Sequence, residues 1–133
     1  MMKNRFVIIA ISLIATFVFA ACSSDEIGSS VHRRISQEEA VEMMADQDQD
    51  VIVLDVRETS EFDLGHIPDA VSLPLGEILS TVELMIPDKE QVILVYCQTG
   101  NRSNTAAALL SDIGYSNVYD FGGIVSWQGD INR

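Results

Sequence analysis

Cys97 is the residue of this sequence best placed to do chemistry. It follows an apolar run, QVILVY at 91–96, that is typical of a buried strand. The next six residues are Gln98, Thr99, Gly100, Asn101, Arg102 and Ser103. A helical pattern follows at once, so the thiol is predicted on a short turn at a helix N-terminus, where backbone N–H groups lack intrahelical partners. Those groups and the helix dipole favour an anion, which here is the thiolate.

A cysteine at the end of a strand can instead be a packing residue, because free cysteine behaves as a small hydrophobe. Packing alone would not need a glycine at 100, an arginine at 102 and a helix start. A thiolate that binds an anionic substrate uses all three. We therefore interpret Cys97 as a reactive thiol with a lowered pKa.

The elements around this loop alternate between strands and helices. Apolar runs predict strands at 51–56, 71–75, 91–97 and 118–121. A capping box at Ser36 predicts the start of a first helix, and helical spacing predicts others at 60–65, 76–86, up to Ile113, and around Trp127. This order predicts an α/β fold with a mainly parallel sheet, whose ligands bind at the carboxyl ends of the strands.

The composition fits one domain with a strongly acidic surface. The chain has 133 residues, 20 of them acidic and 8 basic, and a formal charge of −12. Such a surface repels nucleic acid and anionic membranes, so neither is an expected partner. It also repels small anionic substrates, so that a local positive site is needed. We expect a monomer without a metal or other cofactor.

The N-terminus has the order of a signal peptide. Two basic residues precede an apolar segment at 6–19, and Ala20, Ala21 and Cys22 follow. This region resembles a bacterial lipoprotein signal, although the pattern prefers leucine where Phe19 stands. The resemblance implies removal of residues 1–21 and lipidation of Cys22, while simple secretion and retention as a membrane anchor remain open.

The segment at 22–34 is polar and rich in serine, which predicts a flexible tether between the lipid and a domain at 35–133. His32 is predicted to be solvated there. The expected location is outside the cytoplasm, periplasmic or otherwise extracytoplasmic, on a bacterial membrane. With Cys22 acylated, Cys97 would have no partner in the chain for a disulfide.

Four motifs occur in one order along the last hundred residues: LDVRE at 54–58, EFDLGHIPDA at 61–70, VYCQTGNRS at 95–103 and FGGIVSW at 121–127. Each alone is a weak signal, but the four together resemble a single-domain rhodanese over 34–133. The resemblance implies a five-stranded, mainly parallel sheet with helices on both faces. It also implies a six-residue active loop, here 97–102.

For this family, the resemblance implies a sulfurtransferase. Cys97 would attack the outer sulfur of an anionic donor such as thiosulfate and become a persulfide, and a thiol or cyanide would then accept the sulfur. The backbone N–H groups of 98–103 would hold the persulfide, with Gly100 easing the turn. Arg102 would bind the donor oxyanion or form an ion pair with an acid such as Asp55. Thr99 and Ser103 would donate hydroxyl hydrogen bonds or cap the helix, and capping is the favoured role for Ser103.

Other motif residues are interpreted as structural support. Arg57 is predicted to pair with Glu61, and His66 to hold the loop before the second strand. Asp55 belongs to the same supporting set, and Trp127 is predicted in the core or at the domain edge.

Two other functions remain as alternatives. Phosphatases and arsenate reductases use a related loop with five residues between cysteine and arginine, whereas four separate Cys97 from Arg102 here. The smaller loop favours a single sulfur atom over a tetrahedral oxyanion. A sulfur carrier or partner-binding module would have the same loop as the enzyme, and the sequence does not separate the two.

Overall fold

A computed structural model describes residues 32–133 of the chain. The predicted signal peptide and Cys22 lie outside these residues. Within the described part, no helix is both long and apolar enough to cross a membrane.

Residues 32–133 contain five strands and four α-helices. The strands are β1 (Arg33–Arg34), β2 (Val51–Asp55), β3 (Val71–Ser72), β4 (Val92–Cys97) and β5 (Asn117–Gly123). The helices are α1 (Gln37–Ala45), α2 (Thr59–Asp63), α3 (Ile78–Met85) and α4 (Asn101–Asp112). Short 3-10 turns cover Leu75–Glu77 and Ile124–Ser126.

The strands form one sheet in the order β1-β5-β4-β2-β3, and every neighbouring pair is parallel. Because β2 and β4 lie inside the sheet and are covered on both faces, they are apolar at nearly every position. One face packs under α3 and α4 around Val95, Ile78 and Leu110. The other packs under α1 around Ala40 and Tyr96. The α/β prediction, with helices on both faces, is confirmed.

Local signals place the first helix where it was predicted. The Ser36 hydroxyl accepts the Glu39 N–H at 3.1 Å, and the Glu39 carboxylate accepts the Ser36 N–H at 2.8 Å. This reciprocal capping box satisfies two donors that the helix leaves free. At the other end of the chain, Gly114 follows α4 with a φ of 102°, as a glycine after a helix C-terminus commonly does.

Several predicted bounds were wrong. Arg33 and Arg34, assigned to the tether, form the edge strand β1 opposite Tyr119 and Asp120. His32 is not simply solvated, because its Nε2 lies 3.1 Å from Asn104 Oδ1.

Strand β3 covers two residues instead of the predicted five, since Pro74 has no N–H for a ladder. The helix predicted at 76–86 starts as a 3-10 turn and becomes α-helical at Ile78. The last strand is longer than the predicted 118–121.

Candidate active site

The candidate site lies at the carboxyl end of the sheet, in the loop between β4 and α4. Cys97 is the last residue of β4, in the middle of the sheet. Its Sγ accepts the Gly100 N–H at 3.0 Å. On the outer side of the loop, the Gln98 carbonyl accepts the Val125 N–H at 3.2 Å. Two hydrogen bonds therefore fix the loop: one to the sulfur of Cys97 within it, and one to the segment after β5.

Two glycines make this geometry possible. Gly100 has a φ of 103°, a left-handed conformation that side chains with a Cβ rarely adopt. Gly123, at the end of β5, lies so close to the loop that a Cβ there would stand 2.4 Å from the Gln98 carbonyl oxygen and 2.6 Å from Thr99 Cα. The predicted need for glycine at position 100 is confirmed, and Gly123 is a second requirement that the sequence reading missed.

The loop lowers the pKa of the Cys97 thiol. Burial by itself would raise this pKa, because it disfavours the charged form. The Ser103 N–H, the contact with the Ser103 hydroxyl, and the N–H groups of Gly100 and Thr99 outweigh that effect. The direction agrees with the prediction of a stabilised thiolate.

Cys97 is more enclosed than a reactive thiol was expected to be. The residue is 1% exposed and packs against Val95 and other core residues of the α4 face. The reason is that β5 and Gly123 press against the loop from one side while α4 covers it from the other. The thiol therefore has little direct contact with solvent in this structure.

Ser103 does not cap α4. Its side chain is fully buried, and its hydroxyl donates to Asp120 Oδ1 at 2.7 Å, with the Gly100 carbonyl at 3.1 Å. The thiol of Cys97 faces the same hydroxyl, with Sγ 3.7 Å from Oγ. The N-cap residue of α4 is instead Gly100, and no side chain caps the helix there. Capping was therefore the wrong choice for Ser103, and the hydroxyl role fits its contacts.

Arg102 and Glu61 form a bidentate ion pair. Arg102 Nη1 and Nη2 donate to the two carboxylate oxygens of Glu61 at 2.6 and 2.9 Å. These hydrogen bonds lower the pKa of Glu61 to about 2, so the pair stays charged over the usual pH range. The predicted pairing of Arg57 with Glu61 was wrong. The alternative that Arg102 forms an ion pair with an acid is confirmed, but the acid is Glu61 and not Asp55.

Arg57 instead pairs with Asp55 beneath the loop. Its Nη2 lies 2.6 Å from Asp55 Oδ2, and its Nε lies 3.0 Å from both carboxylate oxygens. Its remaining donors reach the Gly65 carbonyl at 2.7 Å and the Gln98 side chain at 3.3 Å. Both partners are buried. Because each neutralises the charge of the other, two charged residues can be accommodated at the end of a buried strand. Their predicted structural role agrees with these contacts.

His66 also makes structural contacts. Its Nδ1 lies 3.0 Å from the Phe62 carbonyl, its ring stacks on the Phe62 ring at 3.7 Å, and its backbone pairs with Asn132. These contacts hold the segment between α2 and β3, as predicted. Asn101, by contrast, is an exposed first residue of α4. Trp127 packs against the core of the α1 face.

A depression of about 420 Å³ borders the outer side of the loop. It is lined by Arg57, Glu61, Leu64, Gly65, Gln98 and Ile131. Two larger depressions, of about 730 and 550 Å³, lie beside α1 and touch none of the loop residues. Among these three depressions, only the smallest borders the loop. In residues 32–133, no three His, Cys, Asp or Glu side chains group as metal ligands would.

The sequence reading missed Asp120 altogether. This acid is fully buried in β5, between Tyr119 and Phe121. An acidic residue inside an otherwise apolar run, two positions before a Gly-Gly pair, was the available signal. A carboxylate is rarely buried without a partner.

The parallel sheet, the cysteine loop and the helix that follows it define a class of α/β proteins with a cysteine at the carboxyl edge of the sheet. Residues 36–130 match the model of the rhodanese-like domain. The chain therefore belongs to the rhodanese-like family, whose relatives include sulfurtransferases.

Named relatives agree with this assignment. The chain is 34% identical over 71 residues to the thiosulfate sulfurtransferase PspE of Escherichia coli, covering 53% of this chain and 68% of the relative. It is 35% identical over 94 residues to a sulfurtransferase of Allochromatium vinosum, covering 70% and 85%. Among solved structures, a rhodanese-related protein from Thermoplasma volcanium has a TM-score of 0.65 at 29% identity, covering 76% of this chain and 98% of that one.

Proposed function

We propose that this protein transfers a sulfane sulfur through a persulfide on Cys97. In the first step the thiolate attacks the outer sulfur of a donor such as thiosulfate. A new S–S bond forms at Cys97, the S–S bond of the donor breaks, and sulfite leaves with the electron pair. In the second step a thiolate or cyanide attacks the outer persulfide sulfur, and the Cys97 thiolate leaves. Covalent catalysis thereby divides one transfer into two easier displacements.

The observation that carries the proposal is the set of N–H donors around the sulfur of Cys97. The Gly100 N–H lies 3.0 Å from Sγ, and the N–H groups of Thr99 and Ser103 also lower the thiol pKa. The same inward-pointing N–H groups would stabilise a persulfide anion, which carries its charge one atom further out. The thiolate leaving group of the second step benefits equally.

An anionic donor would meet Arg102 at the rim. The guanidinium is already bound by Glu61, but it has five N–H donors, of which the carboxylate occupies two. Arg102 can therefore hold the sulfonate oxygens of thiosulfate while Glu61 fixes its orientation. The carboxylate of Glu61 also offsets the positive charge of Arg102. This would limit the affinity of Arg102 for an anionic donor.

A mass measurement tests the reaction. The protein is incubated with thiosulfate and its intact mass is compared with that of the Cys97→Ser variant. A gain of one sulfur in the wild type only, removed by cyanide or a small thiol with turnover, is the expected result. No gain from any sulfane donor, or an equal gain in the variant, would overturn the proposal. Hydrolysis of a phosphate ester that depends on Cys97 would point to the phosphatase alternative.

A dedicated sulfur carrier is the second candidate. The observation that favours it is the 1% exposure of Cys97, since a partner that opens the loop would then control access to the sulfur. A sulfur gain that occurs only from a partner protein's persulfide, and never from thiosulfate, would select the carrier.

We further propose that Cys22 is lipidated after removal of residues 1–21, and that the segment behind it tethers the domain outside the cytoplasm. The support is the order of charge, apolar segment and small residues at the N-terminus. The Cys22→Ser variant should move from the membrane fraction to the soluble fraction when expressed in a bacterium that processes lipoproteins. Equal membrane association of both proteins would contradict lipidation.

A further inference from the structure

A charged chain connects the edge strand β1 to the active thiol. Arg34 stands directly opposite Asp120 in the parallel pairing of β1 and β5. Its Nη2 lies 3.2 Å from Asp120 Oδ2, while Asp120 Oδ1 accepts the Ser103 hydroxyl at 2.7 Å. The oxygen of that hydroxyl lies 3.7 Å from the Cys97 sulfur. We propose that Arg34 and Asp120 are positioning residues that set the protonation of Cys97 through the hydroxyl of Ser103.

The argument begins with the single proton of the Ser103 hydroxyl. The oxygen lies near several acceptors, but its proton can point to only one of them, and Asp120 Oδ1 is the nearest. With the proton directed there, the thiol can donate its own proton to Ser103 Oγ. When Cys97 ionises, the thiolate needs that hydroxyl proton, so that sulfur and carboxylate compete for it. Asp120 therefore opposes ionisation of the thiol.

The carboxylate of Asp120 is fixed in the position from which it accepts the Ser103 proton. It is fully buried, and the Gly122 N–H donates to its Oδ1 at 3.0 Å, which fixes the oxygen that Ser103 contacts. Within residues 32–133, its Oδ2 has no hydrogen bond, and only the ion pair with Arg34 balances it. Arg34 is therefore the described cation that balances this buried carboxylate.

Arg34 moderates the effect of Asp120. It partly cancels the negative charge, and its Nη2 lies 2.9 Å from where a Cβ on Gly100 would be, so it also borders the loop. The other charged pairs at the loop are Arg102 with Glu61 and Arg57 with Asp55. The Arg57–Asp55 pair lies at the end of β2. Arg102 lies in the first turn of α4, where it interacts electrostatically with Cys97, and its partner Glu61 lies in α2. Substitutions in β1 and β5 leave both ion pairs intact.

This arrangement would keep a large fraction of Cys97 ionised while the thiolate remains nucleophilic. The loop N–H groups lower the thiol pKa, but the nucleophilicity of a thiolate falls as its pKa falls, and attack is fastest when the pKa is near the ambient pH. By holding the Ser103 proton, Asp120 limits how far the pKa drops. This inference rests on the proposed function in that Cys97 is taken as the nucleophile.

The test measures the ionisation of Cys97 without any sulfur donor. Thiolate absorbance is followed against pH in the full chain carrying Cys22→Ser, with the matching Cys97→Ser protein subtracted to remove the tyrosine signal. Asp120→Asn should lower the midpoint by about one pH unit, because it removes a nearby negative charge and keeps the oxygen. Arg34→Gln should raise it by a smaller amount, since the Arg34 side chain is 62% exposed and screened by solvent.

Arg33→Gln is the matched control. It removes the same charge from the same strand, but the Arg33 guanidinium lies over the Tyr119 ring and away from the loop. Its midpoint should equal that of the parent. The proposal is overturned if Arg34→Gln and Arg33→Gln give the same midpoint. It is also overturned if a folded Asp120→Asn keeps the parent value.

If Asp120→Asn does not fold, the two arginine variants still decide the question. Failure of this test is separable from failure of the proposed function, which the thiosulfate mass measurement decides independently.

Discussion

At the scale of single residues, the site is a balance between opposing effects on one sulfur atom. Burial of Cys97 disfavours the thiolate, whereas the donors of Ser103, Gly100 and Thr99 favour it, and the donors prevail. The cations around the loop are paired with carboxylates, as Arg102 is with Glu61 and Arg57 with Asp55. The thiolate therefore depends more on main-chain donors than on free positive charge.

The first prediction concerns the titration of Cys97. Because its pKa is lowered in the folded protein, the thiolate should persist to a lower pH than in the chain unfolded in urea. Its ionisation then stabilises the fold above the unfolded pKa, and this contribution is lost as the pH falls through the folded value. Thiolate absorbance of the folded and unfolded Cys22→Ser protein measures both midpoints. A folded midpoint at or above the unfolded one would contradict the lowered pKa.

The second prediction concerns Glu61, which neutralises Arg102. Glu61→Gln should keep the hydrogen bond to the Glu58 N–H, because glutamine serves in a capping box, and should release the charge of Arg102. The specificity constant for thiosulfate should rise by about two- to fivefold, as expected for one partly exposed ion pair.

The control for Glu61→Gln is Glu38→Gln, which removes an exposed acid from α1. Steady-state kinetics with thiosulfate should show no comparable gain for it. Equal gains in both variants would assign the effect to net charge, and no gain in either would remove Glu61 from donor selection.

At the scale of elements, the active loop takes its shape from β5 as well as from its own residues. Gly123 brings the end of β5 against Gln98 and Thr99, and the Val125 N–H binds the Gln98 carbonyl. The loop is therefore clamped between the strand before it, the helix after it and a strand that comes twenty residues later in the sequence.

The third prediction tests this contact. Gly123→Ala would place a Cβ 2.4 Å from the Gln98 carbonyl oxygen, so the loop must shift. Sulfur transfer should fall by about a hundredfold, the effect of an ångström-scale displacement of a reacting group. Gly76→Ala is the matched control because a Cβ there meets no atom within 4 Å. Thiosulfate turnover of the two variants, both shown to be folded by circular dichroism, should differ; similar activity would mean that the loop tolerates the displacement.

At the scale of the whole molecule, the buried ion pair of Asp55 and Arg57 connects strand β2 with the segments around the active loop. The pair lies at the end of β2, and Arg57 also binds Gly65 and Gln98, which come from two other segments. An unpaired guanidinium in this place would be costly, because little solvent reaches it.

The fourth prediction follows from that burial. Asp55→Asn should reduce the free energy of unfolding by about 3–5 kcal/mol, the usual cost of breaking a buried ion pair. Glu83→Gln, which breaks the exposed pair with Lys89, should cost less than about 1 kcal/mol. Urea unfolding followed by circular dichroism measures both. An equal loss of unfolding free energy in the two variants would show that the buried Asp55 pair stabilises the fold no more than an exposed pair does.

Much of this could be predicted from the sequence, because the relevant signals are local. The apolar runs of β2 and β4, the capping box at Ser36 and the glycine at position 100 act within a few residues of where they occur. The same holds for the cysteine placed between a strand and a helix. The resemblance to the family also indicated Asp55, Arg57 and Glu61 as supporting residues, but not which charges pair.

Only the tertiary structure decided which charges meet, and how far the thiol is enclosed. The partners of Arg102 and Arg57 depend on the distance between α2, α4 and β2, and β1 exists because β5 offers it a parallel edge. Asp120, Ser103 and Arg34 come together from three distant parts of the chain through the packing of the sheet. Sequence patterns report what a residue prefers, whereas ion pairs and burial depend on neighbours that the fold brings from far along the chain.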